Sequence, residues 1–288
     1  MSEDWQRLID TYPQVAFNVK SFVAGKMNSP ANGFKVLVQA EPYVGMPENW
    51  DLNLIREYQT IITWNPKFYQ QYKHVLNLKL VNGCLGCNPP ERLSELVPYE
   101  NKIHGVCILN NLYGTGRVGD IYWLRNEFIQ NVSGSLKRHV YCTRKWGGDC
   151  YQGAVLAPYH HSHEKHLKKI SEYKFCACFE SSYHSFWSAG FITERILNCF
   201  RAGTVPVYIG CYDIEKYVPK ELFIDFREFW PSINQPRQYS AVTKLLDTFP
   251  SEKYTKMVKG AYDWVKDCRI GSIVDLENTI GKAIKNEA

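Results

Sequence analysis

The chain has 288 residues, 45% of them hydrophobic and 14% aromatic, with a formal net charge of +5. That is enough for one large or two medium domains with cores of their own, and so mild a charge permits an anionic small ligand while no basic run interleaved with aromatics points to nucleic acid. No stretch approaches roughly eighteen consecutive apolar residues, the start MSEDWQRLIDTY lacks the segments of a signal peptide, and the ten cysteines are scattered, so a soluble, cytoplasmic protein without a membrane span is expected.

Short apolar runs alternate with helical periodicity almost throughout, the pattern of an α/β protein with parallel sheets. In the first third, Phe34 to Val38 and Thr60 to Trp64 read as strands, with a helix over Asn53 to Tyr58 between them. The strand FKVLVQA runs out at Glu41-Pro42, which puts a carboxylate at a strand's carboxyl end. The stretch VNGCLGCNPPERLSELVPYE, residues 81–100, holds glycines and prolines without a period. It reads as the connection between an N-terminal domain, 1–100, and a C-terminal domain, 101–288. Its Cys84-Leu85-Gly86-Cys87 has the spacer of a zinc half-site, but no second pair follows. His160, His161, His163 and His166 do not make H-E-x-x-H, so no metal site is expected there.

After the connection the pattern restarts. Val106 to Leu109 reads as a buried strand, NNLYGTGRVGD follows it, and residues 120–130 read as a helix. Gly114, Gly116 and Gly119 spell G-x-G-x-x-G, the spacing with which dinucleotide-binding folds seat a pyrophosphate; an ordinary glycine-rich turn accounts for it equally well. The next strand, His139 to Thr143, leads into Arg144-Lys145, which would suit the 2′-phosphate of NADP, but no Tyr-x-x-x-Lys pair supplies a hydride-transfer partner. A helix over His163 to Ser171 and a strand over Phe175 to Phe179 come next, with Cys107, Cys176, Cys178 and Cys199 read as small buried hydrophobes. The second strand ends at Glu180, a polar and aromatic loop follows, and Thr193 is placed to cap a helix over Glu194 to Ala202. Gly203 stops that helix, Val205 to Ile209 is the next strand, and two amphipathic helices fill the chain from Ser251 onward.

Residues 180–195 therefore lie at the carboxyl edge of a parallel sheet, where open α/β folds bind ligands. The helix N-terminus offers N–H groups and a positive dipole end to a phosphate. Arg195 opposes that dipole unless an anion sits nearby, although pairing with Glu194 or pointing into solvent would explain it as well. Tyr183, His184, Phe186 and Trp187 pack on a sugar or base, or else form the loop's own core.

Residues 173–229 carry, in order, F-E-x-S, an aromatic before I-T-E-R, then A-G-T-V-P-V-Y-I-G, P-K-E-L-F-I and D-F. This series resembles the donor-binding core of the α-1,3-fucosyltransferases; the likeness thins over 104–172 and fades in the first hundred residues. The resemblance implies a GT-B fold, two Rossmann-like domains facing a cleft, with C-terminal helices. It implies that Glu194 holds the donor ribose and that Arg195 stands where the family has a phosphate-binding lysine. Phe191 replaces a tyrosine, and Ser181 an asparagine. Thr193 and Glu180 belong to the same donor wall. Asn111 followed by Arg117, with Arg125 as the fallback, matches the family's diphosphate-contacting arginine. Glu41 stands where the family proposes its base, or is a solvated turn glutamate. Tyr183 and Trp187 are further donor or acceptor contacts.

The implied reaction is inverting transfer of a sugar from a nucleoside diphosphate, GDP-fucose by resemblance, to a hydroxyl of an oligosaccharide or glycoprotein glycan. No D-x-D triplet occurs, in keeping with a transfer that needs neither metal nor cofactor. The departures at Ser181, Phe191 and Arg195 keep a UDP-sugar such as UDP-xylose open as donor. An NADP-dependent oxidoreductase and a non-catalytic glycan- or nucleotide-binding protein are the readings of other classes.

Overall fold

The computed structural model describes residues 7–83, 92–110, 114–142, 148–153, 163–230 and 235–285, without 9, 14, 18–21, 24–25 and 28–34. Asn111, Cys84 to Cys87, Arg144-Lys145 and His160-His161 lie outside the described residues, as does the side chain of His163.

Two parallel sheets organise the chain. The first consists of β1 (Val15–Phe17), β4 (Val36–Val38), β5 (Thr60–Thr63) and β6 (Leu78–Leu80) in the order β1-β4-β5-β6, with a small hairpin, β2 (Phe22–Val23) and β3 (Lys26–Met27), apart from it. Every residue of β1, β4 and β5 is buried, as strands covered on both faces require. The helix expected after β4 is a single turn, Leu52–Ile55, capped by the Asp51 side chain. A second helix, Pro66–Tyr72, escapes the periodicity because it is short. Its start is nonetheless written in the sequence: Asn65 accepts hydrogen bonds from the N–H groups of Lys67 and Phe68, and Pro66 needs no N–H partner at the first helical position.

The second sheet holds β7 (Ile103–Ile108), β8 (Lys137–Tyr141), β9 (Tyr151–Gly153), β10 (Tyr173–Phe179), β11 (Val205–Ile209) and β12 (Ile224–Asp225). All its pairings are parallel, in the order β12-β11-β10-β7-β8-β9. On one face Phe128, Phe179 and Phe226, all fully buried, meet with ring centroids 4.9 to 5.6 Å apart. Burying each such ring contributes on the order of 2 kcal/mol. The opposite face is covered by the helices His163–Ser171 and Glu194–Ala202.

The helix Ile273–Lys285 packs on the first sheet, although the second sheet precedes it in the chain. Its Ile273, Leu276 and Ile280 enter the core of the first sheet beside Leu8, Leu37 and Ile62. Among the described residues no helix is long and apolar enough to cross a membrane.

Candidate active site

Strand order places the site. From β7 the chain proceeds outward to β8 and β9, and from β10 it proceeds outward the other way to β11 and β12. The loops leaving β7 and β10 therefore diverge and open a crevice at the carboxyl edge, the place where such sheets take ligands.

The loop after β10 begins with Glu180, a carboxylate with 0% exposure. Its burial is possible because Gly210 lies opposite: a Cβ there would come within 2.1 Å of the Glu180 side chain. Thr193 N–H and Oγ1–H both donate to Glu180 at 3.0 Å, and Arg195 Nη1 donates at 2.6 Å. Desolvation raises the Glu180 carboxyl above its ordinary range, against the lowering effects of Arg195 and the Thr193 N–H. Thr193 is also the N-cap of Glu194–Ala202, accepting from Arg195 N–H, a cap that contributes about 1 kcal/mol.

Arg195 is anchored on two further atoms, Asn110 Oδ1 at 2.7 Å from Nε and Thr193 Oγ1 at 2.9 Å from Nη1. Burial disfavours its charge, but Glu180 and Glu194 more than restore it, so the guanidinium is firmly protonated. With 23% of its side chain accessible, it is both fixed and reachable by an anion. This resolves the cation at the wrong end of the dipole: its partner is Glu180, and Glu194 stays exposed beside it in the first turn.

The loop after β7 contains the three glycines, and the N–H groups of Thr115 and Gly116 are turned inward onto Asp120. The Asp120 carboxylate accepts from Thr115 Oγ1 at 2.7 Å, Gly116 N–H at 3.0 Å and Tyr122 N–H at 2.8 Å, and also from Thr115 N–H. Partial burial raises the Asp120 pKa, but these bonds outweigh it and leave the carboxyl more acidic than usual. Gly116 and Gly119, with φ of 65° and 83°, supply the left-handed turns that wrap the backbone round it. The loop thus holds an internal anion. Arg117, projecting from it, donates from Nη1 to the carbonyls of Val44 at 2.7 Å and Gly45 at 3.4 Å, so it bridges to the first sheet's side of the crevice.

Glu41 stands three residues beyond β4 on that side. It is accessible to solvent, yet desolvation by surrounding protein raises its pKa, with Arg195 acting against the rise and Glu194 with it. Glu41 Oε2 lies against Gly45, whose carbonyl Arg117 reaches, and the charges it senses belong to the head of the helix Glu194–Ala202. The structure thus brings Glu41, Glu180, Thr193, Glu194, Arg195 and Arg117 to one crevice.

Other expected contacts are spent on packing. Phe191 is 2% exposed, its ring 5.1 Å from that of Trp64 in the first sheet's core. What it supplies is the position of Thr193. Ser181 is 5% exposed, and its carbonyl accepts from Ile121 N–H. Arg125 is 1% exposed and donates from Nε and Nη2 to the Phe179 carbonyl, clamping the end of β10; burial, with Arg195 next, pushes its pKa down to about 9. Trp187 stacks on Tyr43 at 4.6 Å, and Tyr183 packs against Tyr212 and Trp230. His184 orders its own loop, its Nδ1 accepting from the Phe186 and Trp187 N–H groups. The loop's own aromatic packing, the plainer of the two readings, is thus present throughout 183–187.

Asn110, Asp120 and Tyr43 are the site residues that sequence reasoning did not select. Asn110 carries a signal, a polar side chain on the first residue past an apolar strand; Asp120 follows the last glycine directly. Among the described residues, the His, Cys, Asp and Glu ligand atoms that converge closely enough for an ion are those of Cys176, Cys178 and Cys199, behind the crevice and not in it.

The geometry can be set beside known proteins. Residues 122–280 match the family model described as glycosyltransferase family 10 (fucosyltransferase) C-term. The mouse 4-galactosyl-N-acetylglucosaminide 3-alpha-L-fucosyltransferase 9 is 34% identical over 146 residues, 50% of this chain and 33% of that protein. The human protein of the same name is 33% identical over the same shares. The matched region thus spans about a third of the length of these curated relatives. A crystal structure of an alpha1,3-fucosyltransferase with GDP superposes with a TM-score of 0.52 at 14% identity, covering 89% of this chain and 76% of that one. Anabaena Alr3699/HepE in complex with UDP and glucose superposes at 0.58 and 10% identity, covering 98% and 81%. The architecture is the GT-B fold, as the resemblance implied.

Proposed function

The chain belongs to glycosyltransferase family 10, that of the fucosyltransferases, and from that premise we propose that it moves one sugar from a nucleoside diphosphate to a glycan hydroxyl with inversion. The observation that carries this reading is the placement of Glu41, at the end of β4, beside Gly45 with its Arg117 bond and within the field of Arg195, at the head of the helix following β10. An inverting transfer needs a carboxylate and a cation on two sides of one crevice.

In this reading Glu41 takes the proton of the acceptor hydroxyl as its oxygen attacks the anomeric carbon. The bond from that carbon to the diphosphate oxygen breaks on the opposite face. The charge that collects on the leaving diphosphate meets Arg195, the N–H groups at the head of Glu194–Ala202 and, at the edge, Arg117. Glu194 holds the ribose, and Glu180 fixes Arg195. Side chains and a helix dipole then do the work of a metal, so the transfer requires neither metal nor cofactor.

The donor is GDP-fucose, the sugar nucleotide that family membership favours. A UDP-sugar such as UDP-xylose is the second reading, favoured by Ser181, Phe191 and Arg195, which fill positions of asparagine, tyrosine and lysine in the resemblance. The acceptor is an oligosaccharide or glycoprotein glycan. The eight described cysteines are free thiols, which suits a reducing compartment, the cytoplasm.

Thermal-shift titration with GDP, UDP, GDP-fucose, UDP-xylose and NADPH tests the reading, because a ligand that binds the native state raises Tm by mass action. Stabilisation by GDP and GDP-fucose is expected. Stabilisation by UDP species alone selects the second donor, and by NADPH alone overturns the transferase. Donor binding without turnover on any glycan supports the non-catalytic protein.

A further inference from the structure

Behind the crevice, at the interface between the second sheet and the helix Glu194–Ala202, four thiols meet in the core. Cys176 and Cys178 are two residues apart on β10, so both point to the face that this helix covers. Cys199 descends from the helix, and Cys107 sits on β7 in register with Cys176. All four are 0 to 3% exposed. The sulfurs of Cys176, Cys178 and Cys199 lie within 4.8 Å of one another, Cys178 and Cys199 being 3.1 Å apart, while Cys107 Sγ donates to the Phe175 carbonyl of β10 at 3.7 Å.

Two thiolates bound to zinc at about 2.3 Å in a tetrahedron are roughly 3.8 Å apart, so three sulfurs in this volume need only small rotations to share one ion. A second observation is a charge. Lys102, 5% exposed, donates its ammonium to the Ser171 carbonyl; burial pushes its pKa down to about 8, and the Cys107 and Cys199 thiols act against that fall. An ammonium buried beside neutral thiols is costly; beside an anionic centre it is a counter-ion.

We propose that Cys176, Cys178 and Cys199 form a structural site for a thiophilic d10 cation, zinc, with Cys107 as the thiol placed to complete it. On binding, four S–H bonds break and four S–Zn bonds form, that of Cys107 included. Four protons leave to solvent, no electron is transferred, and the tetrathiolate centre carries two net negative charges, with Lys102 on their side of the core. Soft sulfur ligands select such ions over magnesium or calcium. The ion would tie β10 to the helix that carries Arg195, because Cys178 Sγ already lies 3.6 Å from the Arg195 carbonyl.

The test is metal content. Protein produced with zinc supplementation and freed of loose metal is expected to retain one zinc per chain by elemental mass spectrometry. The metal-free, reduced protein titrated with cadmium should show a sulfur-to-cadmium absorption band that saturates at one equivalent. Cys178→Ala and Cys199→Ala are each expected to lower retained zinc at least tenfold, whereas a Cys84→Ser, Cys87→Ser double variant keeps it. Native reduced protein with neither zinc nor a cadmium band overturns the proposal, with no variant needed. Loss of the ion from the Cys84, Cys87 variant alone, or a Cys178–Cys199 disulfide in freshly isolated protein, overturns it equally.

Discussion

The loops that leave β7 and β10 border one crevice and answer a phosphate in opposite ways. The β7 loop has the glycine spacing of an anion-binding turn, but its Thr115 and Gly116 amides are already taken by Asp120. The β10 loop has no such spacing, yet it buries Glu180 to hold Arg195 at a helix N-terminus with part of the guanidinium accessible. The comparison teaches that a glycine pattern encodes where N–H groups can point, and only the neighbouring side chains decide whether a ligand or the protein itself receives them. In the proposed reading the first loop positions Arg117 and the second receives the anion.

Substitutions can break or sharpen this contrast. The largest effect is expected at Glu41, which faces both loops. Glu41→Gln should lower kcat about a thousandfold, within the usual contribution of a general base, and leave donor Kd unchanged. The working form is the carboxylate, and its pKa lies above the 4.5 of an ordinary glutamate. Activity should therefore fall as pH drops through that raised value, an acid limb lying higher than for a solvated glutamate. A donor Kd that moves while kcat holds would give Glu41 the same task as the loops.

Arg195→Ala comes next. It strands the buried Glu180 carboxylate, at a cost of about 3 kcal/mol in unfolding free energy, and should weaken GDP-sugar binding roughly a hundredfold. Calorimetric titration with unchanged affinity would remove the β10 loop from its role. Asp120→Asn should cost about 1 to 2 kcal/mol by loosening the β7 loop and raise donor KM by no more than about threefold through a displaced Arg117. If the freed amides instead bound diphosphate more tightly, the glycine loop would be an anion site held in check. Arg117→Ala removes accessible contacts to two carbonyls, and a KM rise of about threefold is expected, with Tm nearly unchanged.

Much of this was legible in the chain. The helix Glu194–Ala202 and the strand Val205–Ile209 stand where Thr193, Gly203 and an unbroken apolar run put them. Local signals sufficed there because cap, stop and strand are each written within a few residues. Pro66–Tyr72 was missed because seven residues give too short a period, and the strand at Val36–Val38 is shorter than its apolar run. Arg195 was legible as a misplaced cation, but its partner was not. Glu180 and Asn110 lie fifteen and eighty-five positions away, and only the parallel pairing of β7 with β10 brings them together. Phe191 read as a ligand contact because its sequence position resembles one; its environment is set by Trp64, from the other sheet.

The return of Ile273–Lys285 to the first sheet bears on how the chain is made. Leu8 and Ile280 share one core, and Arg7 pairs with Glu277 at 2.9 Å. A ribosome delivers β1, β4 and β5 long before that helix, while the second sheet emerges with most of its partners close behind it. The half synthesised first therefore waits with an open apolar face and closes last, after its neighbour has folded. During translation β4 and β5 lack that cover until Ile273–Lys285 has emerged.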